Sequence, residues 1–290
     1  MNAKHVFLTT AFCATAWLLS PLTAGAQNGD SGSKVRMYNT VKQKLLKGKQ
    51  VVGGTVSTSD PNIYCAMAES GFDFLWIEMQ HSPLMYDDVA KMIWACKDAP
   101  AIPFIRIPNA TEGDIQKATD IGALGIVVPM VHTVEEAQDA VKYAKFPPVG
   151  RRSQGGGQYG RLWGSDYRKT ANENMMIVVM IESPDGVAIV DKIAAVPGID
   201  VVFAASGDIG SFTGWERTDP RYMKLINRVR DETLKAGKVL GGPFAWSDRQ
   251  GYMFFQGPGE GSLIKSGAQM TLTGVSDGKK EDVATGDEPL

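Results

Sequence analysis

Short runs of apolar, often β-branched residues recur along the chain, at 51–58, 72–79, 101–107, 125–131, 176–182, 200–204, 239–242 and 268–273. Between most of them lie longer stretches whose apolar residues fall at helical spacing, among them 87–97, 135–144 and 221–236. Continuously apolar strands separated by helices predict a parallel sheet covered on both faces. Eight such units predict an α/β fold of the closed (β/α)8 TIM-barrel type over residues 35–273, rather than an open doubly wound sheet. Helix-start signals agree. Thr133-Val134-Glu135-Glu136 reads as a capping box, and Ser183-Pro184 as an N-cap followed by proline at the first helical position. The stretch 249–261 is broken by glycines and Pro258, and reads as a weak helix before the last strand. No G-x-G-x-x-G follows the first strand, which argues against a dinucleotide fold.

The ends of the chain read differently. Lys4 and His5 precede an apolar run at 6–19, then Pro21 and Ala24-Gly25-Ala26. A basic start, a short apolar core and an A-x-A site predict a secretory signal peptide over 1–26, and hence a periplasmic or secreted protein. The run is shorter than the roughly 17–25 residues that span a bilayer, so no membrane association is expected after cleavage. Residues 27–34 read as a polar linker and 274–290 as a polar, acidic, disordered tail. With 43% hydrophobic and 21% charged residues and a formal charge of −2, the chain lacks the basic footprint of a nucleic-acid binder. Beyond the signal, Cys65 and Cys96 remain, without C-x-x-C spacing. They read as two buried thiols, although an oxidising compartment would allow them to pair.

In a barrel the chemistry gathers where strands end. The second strand leads into Glu78-Met79-Gln80-His81, the third ends near Arg106, the fifth near Met180-Ile181-Glu182, and the sixth leads into Ser206-Gly207-Asp208. Glu182 and Asp208, on adjacent strand ends, suit a hard divalent cation such as Mg2+, Mn2+ or Co2+ that keeps room for a bidentate 2-oxo acid. Arg106 is placed to share developing oxyanion charge. His81 is the natural proton-transfer group, with Glu78 as a partner if the turn brings them together. His132 also follows a strand, but directly precedes the capping box and reads as a supporting residue. Arg151, Arg152 and Gln154 fall in the glycine-rich loop 147–160, which reads either as a lid facing an anionic substrate or as a flexible crossover.

Taken in order, GFDFLWIEMQHSP, FIRIP, GALGIVVPMVHTVEEA, FPPVGRRSQGGGQYGR, MIESPDGV and GDIGSFTG resemble the HpcH/HpaI aldolase and citrate lyase family. The resemblance implies a TIM barrel of the phosphoenolpyruvate/pyruvate type, commonly hexameric, with metal-dependent pyruvate-enolate chemistry. It implies Glu182 and Asp208 as metal ligands, His81 and Glu78 as the catalytic pair, Arg106 at the pyruvate, and Ser206, Gly207 and Met180 around the substrate. Met180 stands where the family commonly has glutamine, and Ala205-Ser206-Gly207-Asp208 where it has Gly-Pro-x-Asp. The reading is therefore a metal-dependent carbon–carbon lyase on a hydroxy-2-oxo acid. Its rivals are another metal-dependent reaction on this barrel and ligand binding without turnover.

Overall fold

The computed structural model describes residues 35–276 besides Met1, so the signal peptide and linker expected at 1–34 lie outside the described residues apart from Met1, and of the disordered tail expected at 274–290 the first three residues are helical instead, the rest lying outside. The chain opens with α1 (Thr40–Leu46), then β1 (Val51–Val56), α2 (Pro61–Glu69), β2 (Phe74–Glu78), α3 (Tyr86–Ala95) and β3 (Ile102–Arg106). It continues through α4 (Glu112–Asp120), β4 (Gly125–Val128), α5 (Val134–Ala144), α6 (Tyr159–Trp163), α7 (Tyr167–Asn174) and β5 (Met176–Ile181). After α8 (Pro184–Ala188) and α9 (Val190–Ala194) come β6 (Val201–Ala204), α10 (Ser206–Thr213), α11 (Pro220–Lys235) and β7 (Val239–Pro243). The last elements are β8 (Tyr252–Gly259) and α12 (Glu260–Ser276). All neighbouring strands pair in parallel, and β8 returns to β1, so the sheet closes as the sequence pattern predicts.

Because side chains alternate across a strand, each strand contributes one column to the barrel interior. Phe74, Phe104 and Phe254 meet there with ring centroids 4.5–5.7 Å apart, and Trp76 lies 5.3 Å from Phe203. These rings leave no space for side chains beside them. A Cβ at Gly53 would collide with Phe74, and one at Gly125 with Phe104. Continuing the same columns toward the C-terminal ends, Phe74–Trp76 leads to Glu78, Ile102–Phe104 to Arg106, and Val178–Met180 to Glu182. The alternation that fills the core with apolar groups thus also delivers charged groups to one rim. At the opposite end, α1 closes the barrel: Asn39 donates to the Leu124 and Asn174 carbonyls at 3.2 and 2.8 Å.

Three expectations change. The eighth strand is Tyr252–Gly259, not 268–273, and the latter segment belongs to the long helix α12. The stretch read as a weak helix is therefore largely strand. The link from β7 to β8 carries only a single 3-10 turn, Phe244–Trp246, with Trp246 packed edge-on against Tyr252. Cys65 in α2 and Cys96, just past α3, are joined by a disulfide, with their Cα atoms 5.5 Å apart, rather than standing as two thiols.

Candidate active site

Glu78 and Arg106 are cross-strand partners at the ends of β2 and β3. The guanidinium Nη1 donates to Glu78 Oε2 at 3.2 Å, and Nη2 lies 3.8 Å from Glu182 Oε1. All three side chains are almost entirely shielded from solvent. Glu78 is held from several sides. Its Oε2 also accepts from the Trp76 indole at 3.2 Å, and its Oε1 from the backbone N–H groups of Gln80 and His81 at 2.9 and 3.0 Å. Those bonds correct the expected pairing: the turn brings the His81 backbone, not its imidazole, to Glu78. The imidazole is exposed at the rim.

Glu182 directly follows β5. Its Oε2 accepts the backbone N–H of Met130, in the turn between β4 and α5. Met130 adopts φ 53°, a left-handed conformation that non-glycine residues seldom hold, so the fold maintains local strain to aim that N–H. Val131 N–H donates to the Met180 carbonyl at 3.3 Å, fastening the same turn to the end of β5. The other carboxylate oxygen, Oε1, is buried without a hydrogen-bond partner. Burial pushes the Glu182 carboxyl up to about 7; the adjacent Asp208 carboxyl adds to this, while the Met130 N–H and Arg106 oppose it. Asp208, in the first turn of α10, is thus brought to Glu182, as the sequence led one to expect.

Charge balance tests whether a cation fits. Glu78 and Arg106 offset one another, which leaves Glu182 and Asp208 as two acids without a compensating group. A buried carboxylate oxygen without a hydrogen bond, its cation no nearer than 3.8 Å, is costly. An all-oxygen pair is the donor set a hard divalent ion takes. Among the described residues no group of three or more His, Cys, Asp and Glu side chains converges, so the protein would supply two ligands and leave the other positions to water and substrate. The residues fit.

Around this pair, Ser206 is buried and its carbonyl accepts from Tyr222 Oη at 3.0 Å. Gly207 faces open space at the N-terminus of α10, where free N–H groups favour an anion. Met180 is buried in the same apolar cluster as Trp76 and Phe203, and so belongs to an apolar floor. Gln80 carries a buried side-chain oxygen with no hydrogen-bond partner, and His132 a buried ring nitrogen, Nε2, likewise without one. The glycine-rich loop is not brought to this rim. It joins α5 to α6, and helix-to-strand connections lie at the opposite end of a barrel from the strand-to-helix ones. Arg152 is enclosed, donating to Asp120 at 2.9 Å and Tyr167 at 2.8 Å with its guanidinium over Phe146 and Tyr159. Arg151 pairs with Glu112, and Gln154 is exposed. The lid expectation fails on that topology. Sequence reasoning missed Trp76 and Met130. The first had a signal, two residues before Glu78 on the same strand face; the left-handed methionine had none.

Comparison with known proteins agrees with this fold. The signature of the HpcH/HpaI aldolase/citrate lyase family matches residues 55–248. This chain belongs to that family. A hydroxypyruvate/pyruvate aldolase of Chromohalobacter salexigens is 34% identical over 180 residues, covering 60% of this chain and 71% of the relative. A 2-keto-3-deoxy-L-rhamnonate aldolase of Klebsiella pneumoniae is 30% identical, covering 71% and 79%. The crystal structure of a family member from Burkholderia cenocepacia superposes with a TM-score of 0.75 at 28% identity, covering 82% of this chain and 99% of that one. In this member of the HpcH/HpaI family, Glu78, Arg106 and Glu182 stand at or just past the strand ends, where this barrel type gathers its chemistry.

Proposed function

We propose that this protein is a divalent-metal-dependent aldolase that cleaves or forms a hydroxy-2-oxo acid through a pyruvate-type enolate. The observation that carries this reading is the uncompensated pair Glu182 and Asp208 beside Arg106, with one Glu182 oxygen buried and unpartnered. Relatives bearing aldolase names support the same reaction class.

Glu182 and Asp208 would hold the cation, which when bound polarises a ketone and eases negative charge on its oxygen. The N–H groups opening α10 at Ser206 and Gly207 receive the substrate carboxylate. Arg106, fixed by Glu78, donates to the oxygen on which charge develops. In cleavage, His81 takes the proton of the C4 hydroxyl, the C3–C4 bond breaks, and its electron pair forms the enolate as the aldehyde departs. One proton returned to C3 yields the 2-oxo acid, and synthesis runs the steps in reverse.

The test incubates purified protein with Mg2+, Mn2+ or Co2+ and a panel of hydroxy-2-oxo acids, following 2-oxo acid release. Activity should vanish with chelator and return with metal. Glu182→Ala and Asp208→Ala should each lose bound metal by elemental analysis with circular dichroism unchanged. A metal-loaded protein that releases no 2-oxo acid from any substrate overturns the reading, and retained metal stoichiometry overturns the ligand assignment. We further propose that the reaction takes place outside the cytoplasm. The Cys65–Cys96 disulfide supports this, since such bonds persist in oxidising compartments. Recovery of the full-length protein in a periplasmic or secreted fraction is the check, and a purely cytosolic product would contradict it.

A further inference from the structure

The hydrogen bonds around Glu78 settle which neighbour its carboxylate serves. A carboxylate accepts along about four lone-pair directions. Here four donors take them. The backbone N–H groups of Gln80 and His81 are on Oε1, and the Trp76 indole and the Arg106 guanidinium are on Oε2. No direction is left for an imidazole. Arg106 is held by far less. Among the described residues its guanidinium makes one hydrogen bond, from Nη1 to Glu78 Oε2 at 3.2 Å. Its Nε is buried without a partner, and Nη2 lies 3.8 Å from Glu182, beyond hydrogen-bond reach. Where the guanidinium points therefore depends on where Oε2 is held, and the other donor on Oε2 is Trp76.

Trp76 is well placed to hold it. It shares an inward-facing column of β2 with Phe74 and Glu78, so its ring lies directly below the carboxylate. The side chain is fully buried, with its ring 5.3 Å from that of Phe203 on β6. Its register partners are Thr55 on β1 and Phe104 on β3. Thr55 gives its hydroxyl to the Gly257 carbonyl at 3.0 Å, and Phe104 has none to give, so neither can replace the indole as a donor. An indole has two side-chain torsions and a single N–H. Packed on all sides, it offers that N–H in one direction only.

Building on the aldolase reading, we propose that Trp76 is a positioning residue: its indole N–H fixes Glu78 Oε2, and through that oxygen aims Arg106 at the charge that develops on the enolate oxygen. Bulk and donor are separable here. Phenylalanine keeps a ring without the N–H. Histidine keeps a donor, since its Nε2 falls at the ring position of the indole nitrogen, but lacks the second ring.

The experiment uses the metal-loaded full chain and follows 2-oxo acid release. Trp76→Phe should lower kcat about tenfold, as expected when one preorganised donor is slightly misplaced. KM, bound metal and the circular dichroism spectrum should stay as in wild type. Trp76→His should recover about threefold or more of that loss per folded molecule. In an Arg106→Lys background, Trp76→Phe should change kcat by less than about twofold, because the group it aims is gone. A purely structural role instead gives equal losses in both backgrounds. A further reading needs no change at Trp76: pyruvate should shift a slowly exchanging indole N–H signal in the 15N NMR spectrum of wild type, and not in Arg106→Lys. Equal losses in the two backgrounds, an unchanged kcat in Trp76→Phe, or an indole signal indifferent to pyruvate overturns the positioning role while an active wild type leaves the aldolase reading intact. A metal-loaded wild type that releases no 2-oxo acid overturns both.

Discussion

Arg106 separates charge from geometry. Lysine would keep the positive charge but present a single point donor, whereas the guanidinium reaches Glu78 and Glu182 at once, at 3.2 and 3.8 Å. Arg106→Lys should lower kcat/KM by about 10²–10³, the usual loss of one preorganised oxyanion donor, with metal content retained. Steady-state kinetics beside elemental analysis checks this. Glu78 makes a different prediction. Its two oxygens accept from Trp76, Gln80, His81 and Arg106. An amide there would set an NH2 group against existing donors and strip Arg106 of its counter-charge. Glu78→Gln should cost about 3–5 kcal/mol in chemical denaturation, the range for a broken buried pair. A loss below 1 kcal/mol would mean the network matters little. Glu78, Glu182 and Arg106 were legible because they end inward-facing columns, one step past apolar residues of the same parity, and Asp208 because it opens the helix that follows β6. The hold on Glu182 by Met130 was not legible, since nothing in Val-Pro-Met-Val announces a left-handed methionine. Nor could spacing tell that Glu78 would spend its oxygens on backbone N–H groups and leave the imidazole free.

At the level of elements, most strands and helices followed from the alternation of buried runs with amphipathic ones, because parallel strands are apolar on both faces. The exception is instructive. Tyr252–Gly259 carries Gly257, Pro258 and Gly259, residues that weaken any strand assignment, yet β8 tolerates them near its end. Conversely 268–273 is apolar without being buried, and belongs to a helix. The glycine-rich loop was misjudged for a positional reason. It precedes a strand rather than following one, and this places it away from the rim whatever its composition. The disulfide tying α2 to α3 spans 31 residues and yields a stability prediction. Replacing both cysteines by serine should lower stability by about 3–4 kcal/mol, the loop-entropy value for that span. Urea unfolding of the variant, compared with wild type with and without reductant, measures it. If reduction leaves the midpoint unmoved, the cross-link does not contribute.

For the whole molecule, the question is what covers α12. It touches β8 and β1 at its start, but Ile264, Met270 and Leu272 are 60%, 80% and 61% exposed. Met270 and Leu272 lie on opposite sides of the helix, so with Ile264 they leave apolar surface around much of it, and isolated soluble chains tend to bury such surface. Closed homo-oligomers are the commonest way for a soluble chain to cover it, because each copy brings the same surface. The protein should therefore run as a homo-oligomer in sedimentation velocity at micromolar concentration. The double variant Ile264→Lys with Met270→Lys should move that boundary toward the single chain. Because these positions lie outside the barrel core, the variant should keep its circular dichroism spectrum, so dissociation can be told from unfolding. A wild-type protein that sediments as a single chain under these conditions would show that α12 stays uncovered, and its exposed apolar residues would then need another explanation.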